Sequence, residues 1–166
     1  VASCTGFTEE LASTPYIQTK NKRITDLAQE VAGNTAADPE RVRILAAWVF
    51  NNLEKRPVLG IPDALTTLNT RIGDCNEHAA LFAALARNTG IPTRVVAGVT
   101  FFEGAFYYHA WNEVCLDDSW YSVDTTKNQF PADLSHIKFV EGEIDEQVRI
   151  AALLGKSPFK PMQAHM

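Results

Sequence analysis

Three segments carry residue types that can do nucleophilic chemistry together. The first is Arg71-Ile72-Gly73-Asp74-Cys75-Asn76-Glu77-His78-Ala79. Asp74 is a candidate N-cap, which puts Cys75 in the first turn of a helix. Unpaired backbone N–H groups and the helix dipole favour negative charge there, and the thiolate is the nucleophilic form of cysteine. The same N–H groups can hold a developing oxyanion. A cysteine at a helix start also reads as a small buried hydrophobe. A thiol nucleophile needs a base, and the base needs an orienting group. Candidates follow in Tyr107-Tyr108-His109-Ala110-Trp111-Asn112-Glu113-Val114 and in Trp120-Tyr121-Ser122-Val123-Asp124-Thr125-Thr126. Read singly, His109 is also a histidine satisfied within an aromatic sheet, and Asp124 a strand-end carboxylate.

Strand parity brings this pair together. If Asp117-Asp118 is a two-residue turn, Cys115 pairs with Trp120, and His109 and Asp124 fall on one face as diagonal neighbours. A one-residue slip would separate them. If Glu103-Gly104 is the preceding turn, Gly98 lies opposite His109, and its missing side chain leaves room beside the imidazole. Tyr107 and Trp111, which share the face of His109, are candidates to line a substrate groove. The wider aromatic set, Phe101, Phe102, Phe106, Tyr108 and Trp120, reads chiefly as sheet core. His78, one turn beyond Cys75, reads as a packing or surface histidine.

The elements that must hold these residues change character midway. Ile24, Leu27, Ala28 and Val31 mark one helix face. Asp38-Pro39 reads as a helix start, with Asp38 as cap, before the stripe Val42, Leu45, Ala46, Val49, Phe50 and Leu53. Asp63 is placed to cap a short helix. The helix from Cys75 is apolar nearly all round over 79–86 and stops before Gly90, so it is buried. Strands are expected over 93–102, 106–116, 120–123 and 136–140, and a last helix over 144–154. Helices segregated from an antiparallel sheet define an α+β fold. The expected organisation is an extension or linker over 1–22, a domain over 23–156 and a tail over 157–166, as a piece of a longer precursor.

The 166 residues carry a net charge of −5, which argues against nucleic acid as the main partner. No segment approaches the roughly 20 apolar residues of a transmembrane span. The three cysteines cannot all pair within one chain. Cys4 and Cys115 either pair in an oxidising envelope or stay reduced in a cytoplasm. Cys75, His78 and His109 offer a metal-site alternative, though no Cys-x-x-Cys or His-x-x-x-His pair accompanies them.

Taken together, several ordered motifs resemble the transglutaminase-like superfamily, whose fold is related to papain-like cysteine proteases. They are Gly73 with Cys75, Gly90-Ile91-Pro92, Arg94-Val95-Val96-Ala97-Gly98, His109-Ala110-Trp111-Asn112-Glu113-Val114, and Trp120 with Val123-Asp124. The match spans roughly 41–126 and is closer to the compact microbial branch than to the calcium-dependent animal enzymes. It implies a nucleophile helix packed on an antiparallel sheet, with Cys75 as nucleophile, His109 as general base and acid, and Asp124 orienting the imidazole. It also implies a structural ion pair for Glu77, the acidic residue two after the cysteine. No cofactor or metal is implied. The substrate class is a protein or peptide amide, attacked to give a thioester that water resolves in preference to an amine. The alternative is a non-catalytic peptide- or protein-binding module of the same fold. A cell-envelope location is favoured. Asp74 departs from the Gln of the animal enzymes, and its charge opposes a thiolate unless the side chain turns away to cap the helix.

Overall fold

A computed structural model describes residues 3–153. The expected tail over 157–166 lies outside the described residues. Helices α1 (Lys22–Ala32), α2 (Asp38–Asn52) and α3 (Ala64–Thr70) precede α4 (Cys75–Asn88). Strands β3 (Thr93–Phe102), β4 (Ala105–Leu116) and β5 (Ser119–Val123) form a meander, followed by β6 (His136–Glu141) and α5 (Ile144–Leu153). Between the helices, β1 (Glu54–Lys55) pairs in parallel with β2 (Ile72–Gly73). Sequence periodicity does not reveal a two-residue strand, so this pair was not expected.

Helix α4 is the axis of the core. It packs against α1, α2 and α3 on one side and against β3 and β4 on the other. Leu81, Phe82, Ala83, Ala84, Leu85 and Ala86 are accordingly all 0% exposed. Asp63 caps α3 by accepting from the Thr66 backbone N–H. Asp38 is not a cap as expected. Ala37 takes that position, while Asp38 and Pro39 lie in the first turn of α2. There the carboxylate still favours the dipole and pairs with Arg41 at 2.8 Å.

The larger sheet has the order β5-β4-β3-β6, antiparallel throughout. Cys115 pairs with Trp120 and Gly98 with His109, the expected registers. Both hairpin loops have positive φ at both residues, Glu103-Gly104 and Asp117-Asp118, as the twist of a two-residue turn requires. Gly98 serves a different purpose from the one expected. A Cβ there would stand 2.0 Å from the Ile137 carbonyl oxygen. The missing side chain therefore admits the backbone of β6 at a register shift, not space beside the imidazole.

The described part of the segment the sequence sets apart over 1–22 lies against this core. Cys4 is disulfide-bonded to Cys115, Phe7 packs edge-on against Trp120, and Ile17 is fully buried. Arg87, at the end of α4, bonds the Ala12 carbonyl.

Candidate active site

Cys75 opens α4 because a capping box closes the turn before it. The Asp74 carboxylate accepts from the Cys75 N–H at 2.8 Å, and Glu77 Oε2 accepts from the Asp74 N–H at 2.9 Å. Glu77 is thus a cap partner, not half of the expected ion pair. Gly73 permits this, since a Cβ there would meet the Glu77 Cβ at 2.3 Å. Asp74 does turn to the helix, but it occupies the Cys75 N–H that was expected to receive an oxyanion. His78 is fully buried. Its Nδ1 faces the Asp74 carbonyl at 2.8 Å, and its Nε2 has no partner.

The free thiol of Cys75 is 7% exposed and packs with Ala97, Ala110, Tyr108 and Val140. Burial pushes its pKa up to about 12, with the charge of Asp74 next, against a hydrogen bond from the Ala110 backbone. The resting group is a thiol, not the thiolate expected at a helix start. Burial and the cap's charge outweigh the dipole here.

The bond from Ala110 follows from strand lengths. Antiparallel ladders alternate, so Leu116, Val114 and Asn112 of β4 direct their peptide groups toward β5. Pairing with β5 ends at Asn112 opposite Val123. The next N–H on that side belongs to Ala110, which lies beyond the end of the β4–β5 pairing and faces the thiol. His109 precedes it, and Asp124 follows the last residue of β5.

His109 and Asp124 are both 0% exposed, and His109 Nε2 lies 2.8 Å from Asp124 Oδ2. The carboxylate accepts only, so Nε2 carries the proton and Nδ1 is the bare nitrogen. Nδ1 is buried with no hydrogen-bond partner, so neither ring nitrogen bonds the Cys75 sulfur. The structure joins His109 to Asp124 and sets Cys75 against the flanking residues of β4.

Asp124 has further partners that sequence reasoning missed. Its Oδ1 accepts from the Thr126 N–H at 3.0 Å and from Thr126 Oγ1 at 2.6 Å. Its Oδ2 also accepts from His136 Nε2 at 2.7 Å. Burial alone would raise the pKa of Asp124, but hydrogen bonds from His109 and His136 hold it well below the usual carboxylate range. No motif marks His136. It arrives because the chain turns back through 125–135 to start β6. Donor atoms of His109, Asp124 and His136 lie within 4.8 Å of one another, close enough to surround a cation. They already satisfy one another by hydrogen bonds, so we assign them no ligand role.

Trp111 is 2% exposed and does not line an open groove. Its ring stacks at 6.0 Å from His109 and meets His136 edge-on at 5.0 Å. Tyr107 is half-buried, while Tyr108 contacts the thiol region. Phe101, Phe102 and Phe106, read as core, are 47–53% exposed at the hairpin end.

The fold is of the papain/transglutaminase-like type. The family model of the transglutaminase-like superfamily matches residues 25–125, and the chain belongs to that superfamily. It is 30% identical over 137 residues to mouse kyphoscoliosis peptidase, which covers 72% of this chain but only 20% of the relative. A cysteine protease candidate from Cytophaga hutchinsonii superposes with a TM-score of 0.73 at 25% identity, over 82% of this chain and 47% of that one. The periplasmic domain of TgpA from Pseudomonas aeruginosa gives 0.60 at 27% identity, over 76% and 49%.

Proposed function

We propose that the chain is a thiol enzyme acting on protein or peptide amide bonds through a thioester. The observation that carries this is His109, which donates from Nε2 to Asp124 and keeps a buried, unpartnered Nδ1, next in sequence to the Ala110 that packs against Cys75. In the reaction, Nδ1 takes the thiol proton as sulfur bonds to the substrate carbonyl carbon. The carbon–nitrogen bond then breaks, and the imidazolium returns that proton to the leaving amine. Water, deprotonated by the same nitrogen, adds to the thioester carbonyl and releases acid and thiol. Hydrolysis is preferred to transamidation because no acceptor-amine site is recognisable among the described residues. Asp124 holds the tautomer this sequence requires.

Because the resting pKa is about 12, little thiolate exists before substrate arrives. Deprotonation therefore accompanies attack. Iodoacetamide labelling of Cys75, followed by peptide mass spectrometry, tests the assignment. Cys75 should label faster in the native chain than in H109A, and equal slow rates would remove His109 as the base. The disulfide excludes Cys115 as a comparison thiol.

Two observations favour a second reading, a non-catalytic binding module. The Cys75 N–H is already bonded to Asp74, and the thiol is buried. Failure of any amide substrate to form a thioester with a folded chain would support it. The Cys4–Cys115 bond and the likeness to a periplasmic domain support an extracytoplasmic location.

A further inference from the structure

Asp124 Oδ2 accepts from two imidazoles, and the second has no place in a three-residue mechanism. The His136 side chain is 3% exposed. Its Nε2 lies 2.7 Å from Asp124 Oδ2, while its Nδ1 lies 3.0 Å from both the carbonyl oxygen and Oδ1 of Asp133. Each of these partners is an acceptor without a proton to give when the carboxylates are ionised. Both ring nitrogens must therefore carry hydrogen, which makes His136 an imidazolium. His109 differs, because only its Nε2 faces an acceptor.

We propose that His136 is a positioning residue: as an imidazolium bonded to Asp124, it fixes the carboxylate and balances its charge, which keeps His109 a neutral base. This rests on the reading of His109 as the base. Four donors fill the lone-pair sites of Asp124, namely His109 Nε2, His136 Nε2, and the N–H and hydroxyl of Thr126. Without His136, an uncompensated buried anion would face His109 and draw a proton onto Nδ1, where the thiol proton must go.

The charged groups around His136 agree. Asp124 and Lys127 face it from the segment after β5, Asp133 from the turn before β6, and His109 from β4. Burial opposes charge on His136, but the hydrogen bond and charge of Asp124 outweigh that and the opposing Lys127, leaving its pKa above the ordinary value. Lys127 itself is directed to Thr100 Oγ1 at 2.8 Å. Lys138, on the same strand, pairs with Glu113 and Glu141 instead.

The test is a histidine NMR titration of the full chain beside the pH profile of Cys75 alkylation, in the native protein and in His136→Gln. Glutamine keeps an N–H donor for Asp124 and removes the charge. In the native chain, nitrogen shifts should show His136 doubly protonated at neutral pH and His109 protonated only at Nε2. In the variant, the nitrogen spectrum should show hydrogen gained at His109 Nδ1, and the acid limb of alkylation should move up by about one pH unit. A structural role alone would slow labelling or lower the melting temperature without either change, and would overturn the proposal. A neutral His136 at pH 7 in the native chain would do so even if the variant fails to fold. Should H109A label as fast as the native chain while the NMR coupling persists, the base assignment fails and the electrostatic coupling stands.

Discussion

At the residue scale, the site is a contest between neighbours of the thiol. Asp74 is needed to start α4, yet its charge disfavours the thiolate. Asparagine caps a helix about as well as aspartate. Asp74→Asn should therefore change stability by no more than about 0.5 kcal/mol, while bringing the Cys75 pKa below about 12. Thiolate absorbance across a pH series and a thermal melt would check the two halves. Asp124→Asn should cost about 10³–10⁴-fold in turnover, because an amide can donate to Nε2 and stabilise the wrong tautomer. Steady-state kinetics on a peptide amide would read it. Much at this scale was legible. Gly73, Asp74 and Cys75 stand within one turn, where local chemistry determines geometry. His136 was not, because its bond to Asp124 depends on a loop of irregular backbone. Nor was the rise in thiol pKa, since burial is a property of the packed chain.

At the scale of elements, hairpin arithmetic was reliable. Two-residue turns leave one register, and the side-chain period of two then assigns faces. The faces place His109 with Asp124 and also set Trp111 behind them. Parity does not tell that His136, brought in at the start of β6, will close over Trp111 beside His109, so the groove reading of Trp111 failed. Position 98 tests the sheet. Gly98→Ala puts a Cβ against main-chain atoms of β6, which cannot swing aside like a side chain. A destabilisation of about 1–3 kcal/mol is expected, read from a urea midpoint. Because β6 begins with His136, slower Cys75 labelling should accompany it.

For the whole molecule, the disulfide ties the first described residues to the end of β4 across a sequence separation of 111. Closing so long a loop restricts the unfolded chain, so replacing both Cys4 and Cys115 by serine should cost about 2–5 kcal/mol. Thermal unfolding with and without reductant would measure it. Stability should also vary with pH in two directions. Asp124 has a lowered folded pKa. Its contribution is present above its unfolded value of about 4 and is lost as pH falls through the folded one. His136 has a raised folded pKa, so its contribution is full below about 6.5 and is lost as pH rises through the folded value. Chemical denaturation across pH should therefore show greatest stability from these groups between about 4 and 6.5.

The bond from Ala110 to the sulfur has an evolutionary consequence. Its donor is main chain, so no replacement at position 110 except proline deletes it. What created it is the stopping point of β5 at Val123. Two more residues of regular pairing would draw that amide into the ladder and leave the sulfur without it. Drift by substitution can pass over this contact for long periods, whereas a single small insertion or deletion in the β4–β5 hairpin would abolish it. Relatives that retain the chemistry should therefore keep a small side chain at this position, where Ala110 is buried against the thiol, and hold the length of that hairpin fixed.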